Sequence, residues 1–416
     1  MFPRESRELL IMNSWDLFDT LVAGRDIMKP SGDLPEGYHF PIVENVQAVK
    51  RDDIIISDYY DHQKAHRILK TVTGLPNKLF VGDHIKVSGE IWPKVRVKHH
   101  TGDRPNEIAA ALRCGVRTTL TRVASFTTLE QDLFSAGFKG LALTMRETRL
   151  TTYDAKYRAF ETLQSQGNFP FLFLASLLLH RKMVNERLDC VLMSSRDACL
   201  WHRVQEKVRD LHCGKSYKIH YWLSSRLTRY RPSMSVINYT KKLLAGEALI
   251  ADVCGSGYSL RAFINLLGVD VKLWLIVGWA NGNRPLPSGV PYMVGWCGTT
   301  AIELANLAQH PMVCDVSDHN PVIPIYINPT GIDWASVPEI QVMHRTFIAA
   351  TSLMGRYDYS ADLEVGENQV RRSLNQCFGR IDEGNCLLRS FAYPFFGDEE
   401  DNTRRLLSEW AHQNKQ

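Results

Sequence analysis

A carboxylate at the exit of a short apolar strand, with a threonine four residues later, is presented as a nucleophile. Ser14-Trp15-Asp16-Leu17-Phe18-Asp19-Thr20-Leu21 has that form, and Asp16 is its candidate nucleophile. Three more segments with chemical potential follow in order. Asp53-Ile54-Ile55-Ile56-Ser57-Asp58 reads as an apolar strand that ends in a hydroxyl. Lys86-Val87-Ser88-Gly89-Glu90-Ile91-Trp92 carries an ammonium, and Thr101-Gly102-Asp103-Arg104-Pro105-Asn106-Glu107 is an acidic loop ahead of the helical run Ile108-Ala109-Ala110-Ala111-Leu112. A nucleophilic carboxylate, a hydroxyl, an ammonium and acidic cation ligands together suit attack on an anionic centre, where positive charge must offset the repulsion.

This ordered set resembles the four motifs of the haloacid dehalogenase (HAD) superfamily, whose members mostly hydrolyse phosphoesters through an aspartyl-phosphate. The resemblance implies that Asp16 attacks phosphorus and that Ser57, through its hydroxyl and a backbone N–H, holds the transferred phosphoryl group. It gives Lys86 the neutralisation of charge on nucleophile and phosphate. Mg²⁺ is expected between Asp16, the Phe18 carbonyl and Asp103, with Asn106 or Glu107 in support.

One departure from that pattern bears on the reaction. Phosphatases of the superfamily usually carry a second Asp two residues after the nucleophile, and this chain has Phe18 there. A phenyl ring cannot carry a proton, so acid–base help worth roughly 10²–10⁴ in rate must come from elsewhere or be missing. Asp19 is one residue further along; continued strand alternation would turn its side chain away from Asp16. The form Asp-x-Phe-Asp-Thr-Leu also resembles large HAD-like proteins found with polysaccharide and glycosyltransferase functions.

The elements that must hold these residues read as an α/β fold. A Rossmann-like HAD domain is expected over residues 1–125, with Val116–Thr121 as a further strand of its sheet. The intervals between the motif strands are too short for a sizeable cap domain, so the cap is minimal. Either the substrate is large or another part of the chain covers it. Residues 126–187 read as a helical linker region, in which Phe169–Leu179 is too short to span a bilayer and suits a core helix.

Residues 188–416 read as a second α/β domain with C-terminal helices. Three strand-to-loop units open it: Leu188–Met193 into Ser194, Ser195, Arg196 and Asp197; Tyr217–Leu223 into Ser224, Ser225 and Arg226; and Leu249–Val253 into Cys254, Gly255, Ser256, Gly257 and Ser259. Sheets of this type bind ligands at strand C-terminal ends, where helix N-termini offer N–H groups to anions. The third unit resembles the phosphoribosyl-pyrophosphate loop of phosphoribosyltransferases, although only Asp252 of the usual acidic pair is present. Arg196, Asp197, Arg226, Asp252, Gly255, Ser256, Gly257 and Ser259 are therefore candidate phosphate-binding residues. Asp315, Asp318, His319 and Asn320 read as a solvent-exposed turn, and Arg404–Ala411 as a docking helix.

Composition narrows the classes. In 416 residues, 49 Lys and Arg against 45 Asp and Glu give +4, too even for a nucleic-acid footprint. Nine scattered cysteines without a C-x-x-C fit reduced thiols in a cytoplasmic protein, and the charged N-terminus lacks the apolar run of a signal peptide. Three functions follow as expectations. One is a Mg²⁺-dependent phosphatase or phosphotransferase acting on a phosphorylated sugar, nucleotide or glycan-related substrate. Another is a HAD scaffold that binds with little turnover. The third is glycosyl or phosphoribosyl transfer centred on the second domain.

Overall fold

The computed structural model describes residues 12–212, 217–244, 246–278, 293–294, 299–328, 331–392 and 405. The expected helix at 404–411 and the N-terminal segment lie outside the described residues. The chain divides into two compact units, residues 1–131 with 146–154, and residues 132–145 with 155–416. The expected linker is thus shared between the units, and the helix Lys139–Thr151 contributes to both.

The first unit is built on five parallel strands, Met12–Asp16, Ile54–Ser57, Lys78–Val81, Val97–Gly102 and Arg117–Leu120. Their spatial order is third, second, first, fourth, fifth, with Met12–Asp16 at the centre. Ile54 and Ile56 pack with Trp92, Ala111 and Val116 on one face of the sheet, while Ile55 packs with Leu17, Leu21 and Ile68 on the other. A strand buried on both faces must be apolar throughout, which is why three isoleucines stand in a row. Asp53 fastens this strand to the centre by accepting from the Asn13 N–H at 3.1 Å and the Trp15 indole at 3.0 Å. The interval between the first two motif strands holds only a small antiparallel pair, Val22–Gly24 with His39–Pro41, two short 3-10 turns and the helix Val43–Ala48.

The second unit carries another five parallel strands: Cys190–Ser194, Lys218–Trp222, Ala248–Gly255, Lys272–Gly278 and Met293–Val294. Their order is second, first, third, fourth, fifth. The helix Phe169–Asn185 is buried from Phe169 to His180, as its unbroken apolar run requires. Among the described residues no helix is long and apolar enough to cross a membrane. Among the described cysteines, Cys190, Cys254 and Cys377 are buried, while Cys114 and Cys386 are exposed. Asp318, His319 and Asn320 are exposed where the strands Met312–Val316 and Pro324–Ile327 turn back on each other.

Candidate functional site

In an open parallel sheet, a ligand crevice forms at the carboxyl ends of the strands where the strand order reverses. In the first unit that point lies between Met12–Asp16 and Val97–Gly102, and both strands end in site residues. Asp16 closes the first and Asp103 follows the second. Asp16 pairs in register with Ile56, so Ser57 stands one residue beyond it on the neighbouring strand.

Lys86 lies in a turn-rich stretch rather than on a strand. Its backbone N–H donates to Asp58 Oδ1 at 2.7 Å, and its carbonyl accepts from the Trp92 indole at 3.0 Å. Thus anchored, the ammonium reaches Asp16 Oδ2 at 2.6 Å and also contacts Glu107 Oε2. Lys86 is 1% exposed and Glu107 fully buried. Burial works against the lysine charge, but Asp16 and Glu107 outweigh it and raise the ammonium above its ordinary value.

Glu107 enters on the first turn of the helix Pro105–Arg113, whose proline at the first helical position needs no N–H partner. Burial would raise its carboxyl, but His100 and Lys86 pull it down to about 2. His100 is buried and neutral-leaning because of desolvation; its Nδ1 meets Ser14 Oγ at 2.9 Å, and its Nε2 lies 3.8 Å from Glu107 Oε1. Gly102 makes room for this carboxylate, since a Cβ there would collide with Glu107 Oε1.

Asp16, Asp103 and Glu107 each bring a carboxylate oxygen within 4.8 Å of the others. Burial pushes the Asp16 carboxyl well up; Lys86 opposes this, and Glu107 and Asp103 add to it. Asp103 is raised by burial and by Glu107 and Asp19. One ammonium cannot neutralise three carboxylates, and Asp103 Oδ1 is buried without a hydrogen-bond partner. An all-oxygen set with that charge deficit fits a hard divalent cation.

Other expected residues are distributed differently. Asn106 is exposed and its Oδ1 accepts from the Glu107 N–H at 3.0 Å, so of the two supporting candidates Glu107 joins the cluster. The Phe18 ring is buried against Tyr59 and His39, at centroid distances of 5.2 and 5.9 Å. Asp19 adopts a left-handed φ of 56°, its Oδ1 accepts from Ser31 Oγ at 2.7 Å, and its charge reaches Asp103. The strand stops at Asp16, so alternation does not govern this side chain, whose partner is Ser31.

No protein-family model matches the chain, and no curated protein matches it. The reading of the site therefore rests on its geometry.

In the second unit the strand order reverses between Cys190–Ser194 and Ala248–Gly255. Most of the expected loop residues gather at this end. Asp252 Oδ2 accepts from Arg229 Nη2 at 3.4 Å, Gly255 has φ 150° and Gly257 has φ 72° as the cap of the helix Tyr258–Leu267, whose Ser259 receives Arg229 Nη1 at 3.5 Å. Ser256 lies between the two glycines. Arg196 takes a left-handed φ of 71° and gives its N–H to Tyr221 Oη at 2.8 Å, while Arg226 is exposed on the first turn of the helix Arg226–Tyr230. Their charges both act on Asp197, whose carboxyl burial raises.

The sequence reading missed Arg229. Arg229, one turn beyond Arg226, is the buried guanidinium; it binds Ser194 Oγ and lies 3.3 Å from Ser224 Oγ. Its i+3 spacing from Arg226 was the only signal. Glu303 accepts from Cys254 Sγ at 3.5 Å, and burial together with Asp197 pushes its carboxyl up to about 8.

Proposed function

We propose that the first unit is a HAD-type, Mg²⁺-dependent phosphatase or phosphotransferase that uses Asp16 as nucleophile. The observation that carries this reading is the single buried ammonium, Lys86, shared between Asp16 and Glu107 while Asp103 is left without a cation at the switch point of the sheet.

An Asp16 carboxylate oxygen bonds to phosphorus as the bond from phosphorus to the leaving oxygen breaks, and the leaving oxygen takes the electron pair. Ser57 and Lys86 hold the phosphoryl oxygens, and the Lys86 charge opposes the burial that raises the Asp16 carboxyl. Bound with Asp16, Asp103 and Glu107, Mg²⁺ supplies the charge that offsets repulsion between an anionic nucleophile and an anionic substrate. Water then attacks the phosphorus of the aspartyl-phosphate, releasing phosphate and restoring Asp16. Because Phe18 cannot move a proton, we assign the acid–base step to Asp19, the next carboxylate along the turn that follows the strand. The substrate class is a phosphorylated sugar, nucleotide or glycan-related compound.

The packed Phe18 ring favours a second reading, a HAD scaffold that binds with little turnover. Phosphate release from p-nitrophenyl phosphate with and without Mg²⁺, in wild type and Asp16→Asn, separates them. Mg²⁺-dependent release that Asp16→Asn abolishes supports catalysis. Binding of orthovanadate without any release supports the scaffold.

A further inference from the structure

One fully buried histidine beside the acidic trio, His100, has no part in the chemistry assigned to Asp16. Ser14 pairs in register with Ile54 on one side and with His100 on the other. Side chains two residues apart on a strand share a face. Ser14 and Asp16 therefore point the same way as His100 and Gly102, toward the side of the sheet where Trp92 packs on Ile54 and Ile56.

Four side chains on that side close a ring. The Trp92 indole N–H donates to the Lys86 carbonyl at 3.0 Å, and the indole lies against the His100 imidazole at a centroid distance of 4.8 Å. His100 Nε2 faces Glu107 Oε1 at 3.8 Å, and Glu107 Oε2 contacts the Lys86 ammonium. None of the four is more than 3% exposed. Gly102 makes the third of these links possible: a Cβ there would collide with Glu107 Oε1 and stand 3.0 Å from His100 Nε2.

The ring also fixes which imidazole nitrogen carries the proton. Glu107 sits on the Lys86 ammonium, so it is a carboxylate and can only accept. His100 Nε2 is buried with no hydrogen-bond partner among the described residues. It meets the carboxylate favourably only as N–H, which leaves Nδ1 to accept. The Ser14 hydroxyl supplies that donor at 2.9 Å; its competing acceptor, the His99 carbonyl, is at 3.5 Å. At 3.8 Å the contact between Nε2–H and Glu107 is longer than a hydrogen bond, and it acts as an oriented dipole that the low dielectric of the interior strengthens.

We propose that His100 is a positioning residue for this site. Ser14 holds its imidazole in the Nε2–H form, and that N–H keeps Glu107 turned so that its other oxygen stays on Lys86. The ammonium is thereby held where it meets Asp16. Groups that stand behind a ligand carboxylate set its direction in this way, and their loss costs roughly 10–100-fold in metal affinity. Any effect of His100 on turnover rests on the reaction proposed for Asp16; its tautomer and its hold on Glu107 do not.

Nitrogen-15 spectra of the imidazole rings, on the full chain in EDTA, test the tautomer directly, with the His100 signals identified by their loss in His100→Gln or His100→Asn. Nδ1 should be bare and Nε2 protonated at neutral pH, and Ser14→Ala should release the Nδ1–H form. The two variants then separate positioning from packing. Gln carries its amide nitrogen to where Nε2 stands, whereas Asn reaches only as far as Nδ1. Calorimetry should therefore show Mg²⁺ affinity within about threefold of wild type in His100→Gln and at least about tenfold weaker in His100→Asn. In p-nitrophenyl phosphate turnover the same pair should split in kcat, with KM nearly constant. A bare Nε2 in wild type overturns the proposal, as do equal Mg²⁺ losses in the two variants or a tautomer unchanged in Ser14→Ala. A wild type that shows the Nε2–H form yet binds no Mg²⁺ or releases no phosphate overturns the reading of Asp16 alone.

Discussion

Lys86 Nζ lies 2.6 Å from Asp16 Oδ2, and the same ammonium also touches Glu107. It is the only cation in contact with this buried acidic trio among the described residues. Removing one partner of a buried ionic group leaves the others uncompensated, which costs about 3–5 kcal/mol. Lys86→Met should therefore destabilise the protein by that order, as read from urea unfolding. Added Mg²⁺ should return part of the loss, because a cation can then stand in for the ammonium. A variant as stable as wild type in EDTA would remove Lys86 from its place as charge balance.

Asp16→Asn keeps the shape of the side chain and removes its nucleophilic charge. Phosphate release should fall by at least roughly 10⁴, in line with loss of a nucleophile elsewhere, while the melting temperature changes little. Asp19→Ala should cost about 10²–10³, the range for loss of a proton shuttle, with kcat falling and KM nearly constant. Wild-type turnover in Asp19→Ala would assign the proton to bulk water instead.

Asp103 Oδ1 is a buried carboxylate oxygen of the trio without a hydrogen-bond partner or an ammonium in contact among the described residues. If a divalent cation answers it, Mg²⁺ raises the melting temperature by mass action, worth about 2.7 kcal/mol at a hundredfold excess over Kd. Asp103→Ala should abolish that increment in a thermal scan. An equal Mg²⁺ shift in wild type and Asp103→Ala would mean that the cation binds elsewhere.

How far the site could be read from the sequence depends on what fixed each residue's direction. Asp16 and Ser57 were legible because an apolar run ends on each and a strand end in a parallel sheet points to the crevice. The expected strand near residue 116 is also present as Arg117–Leu120, paired with Val97–Gly102. Lys86 is different: its position depends on Asp58 and Trp92 gripping the backbone on either side, which no periodicity encodes. Asn106 and Glu107 are adjacent on one helix turn, and only the helix phase puts the second inside. The same phase buries Arg229 and exposes Arg226. For Asp19 alternation is no guide, since it holds only while the strand continues and the strand stops at Asp16, three residues before this left-handed position.

Gly102 has an ordinary backbone, and its reason to be glycine is the Glu107 carboxylate packed where a Cβ would be. Gly102→Ala should push Glu107 off Lys86 and cost about 1–3 kcal/mol, as overpacking does. Mg²⁺ affinity should drop with it. Unchanged stability together with unchanged Mg²⁺ binding would show that the carboxylate has room to relocate.

Glu303 in the second unit carries a testable pH signature. Burial and Asp197 push its carboxyl up to about 8, and burial likewise pushes Asp252 up to about 6 despite Arg229. A carboxyl raised on folding keeps a proton that the unfolded chain has already released, so its contribution to stability is complete below the unfolded value and is lost as pH rises through the folded one. For these two groups the loss runs through about pH 6 and then about pH 8. Apparent melting temperatures should accordingly decline from about pH 5 to about pH 9. Glu303→Gln cannot ionise, so its decline over the upper half of that range should be shallower than that of wild type. Parallel curves for the two proteins would show that Glu303 is already ionised at neutral pH, with Arg226 and solvent sufficient to hold its charge.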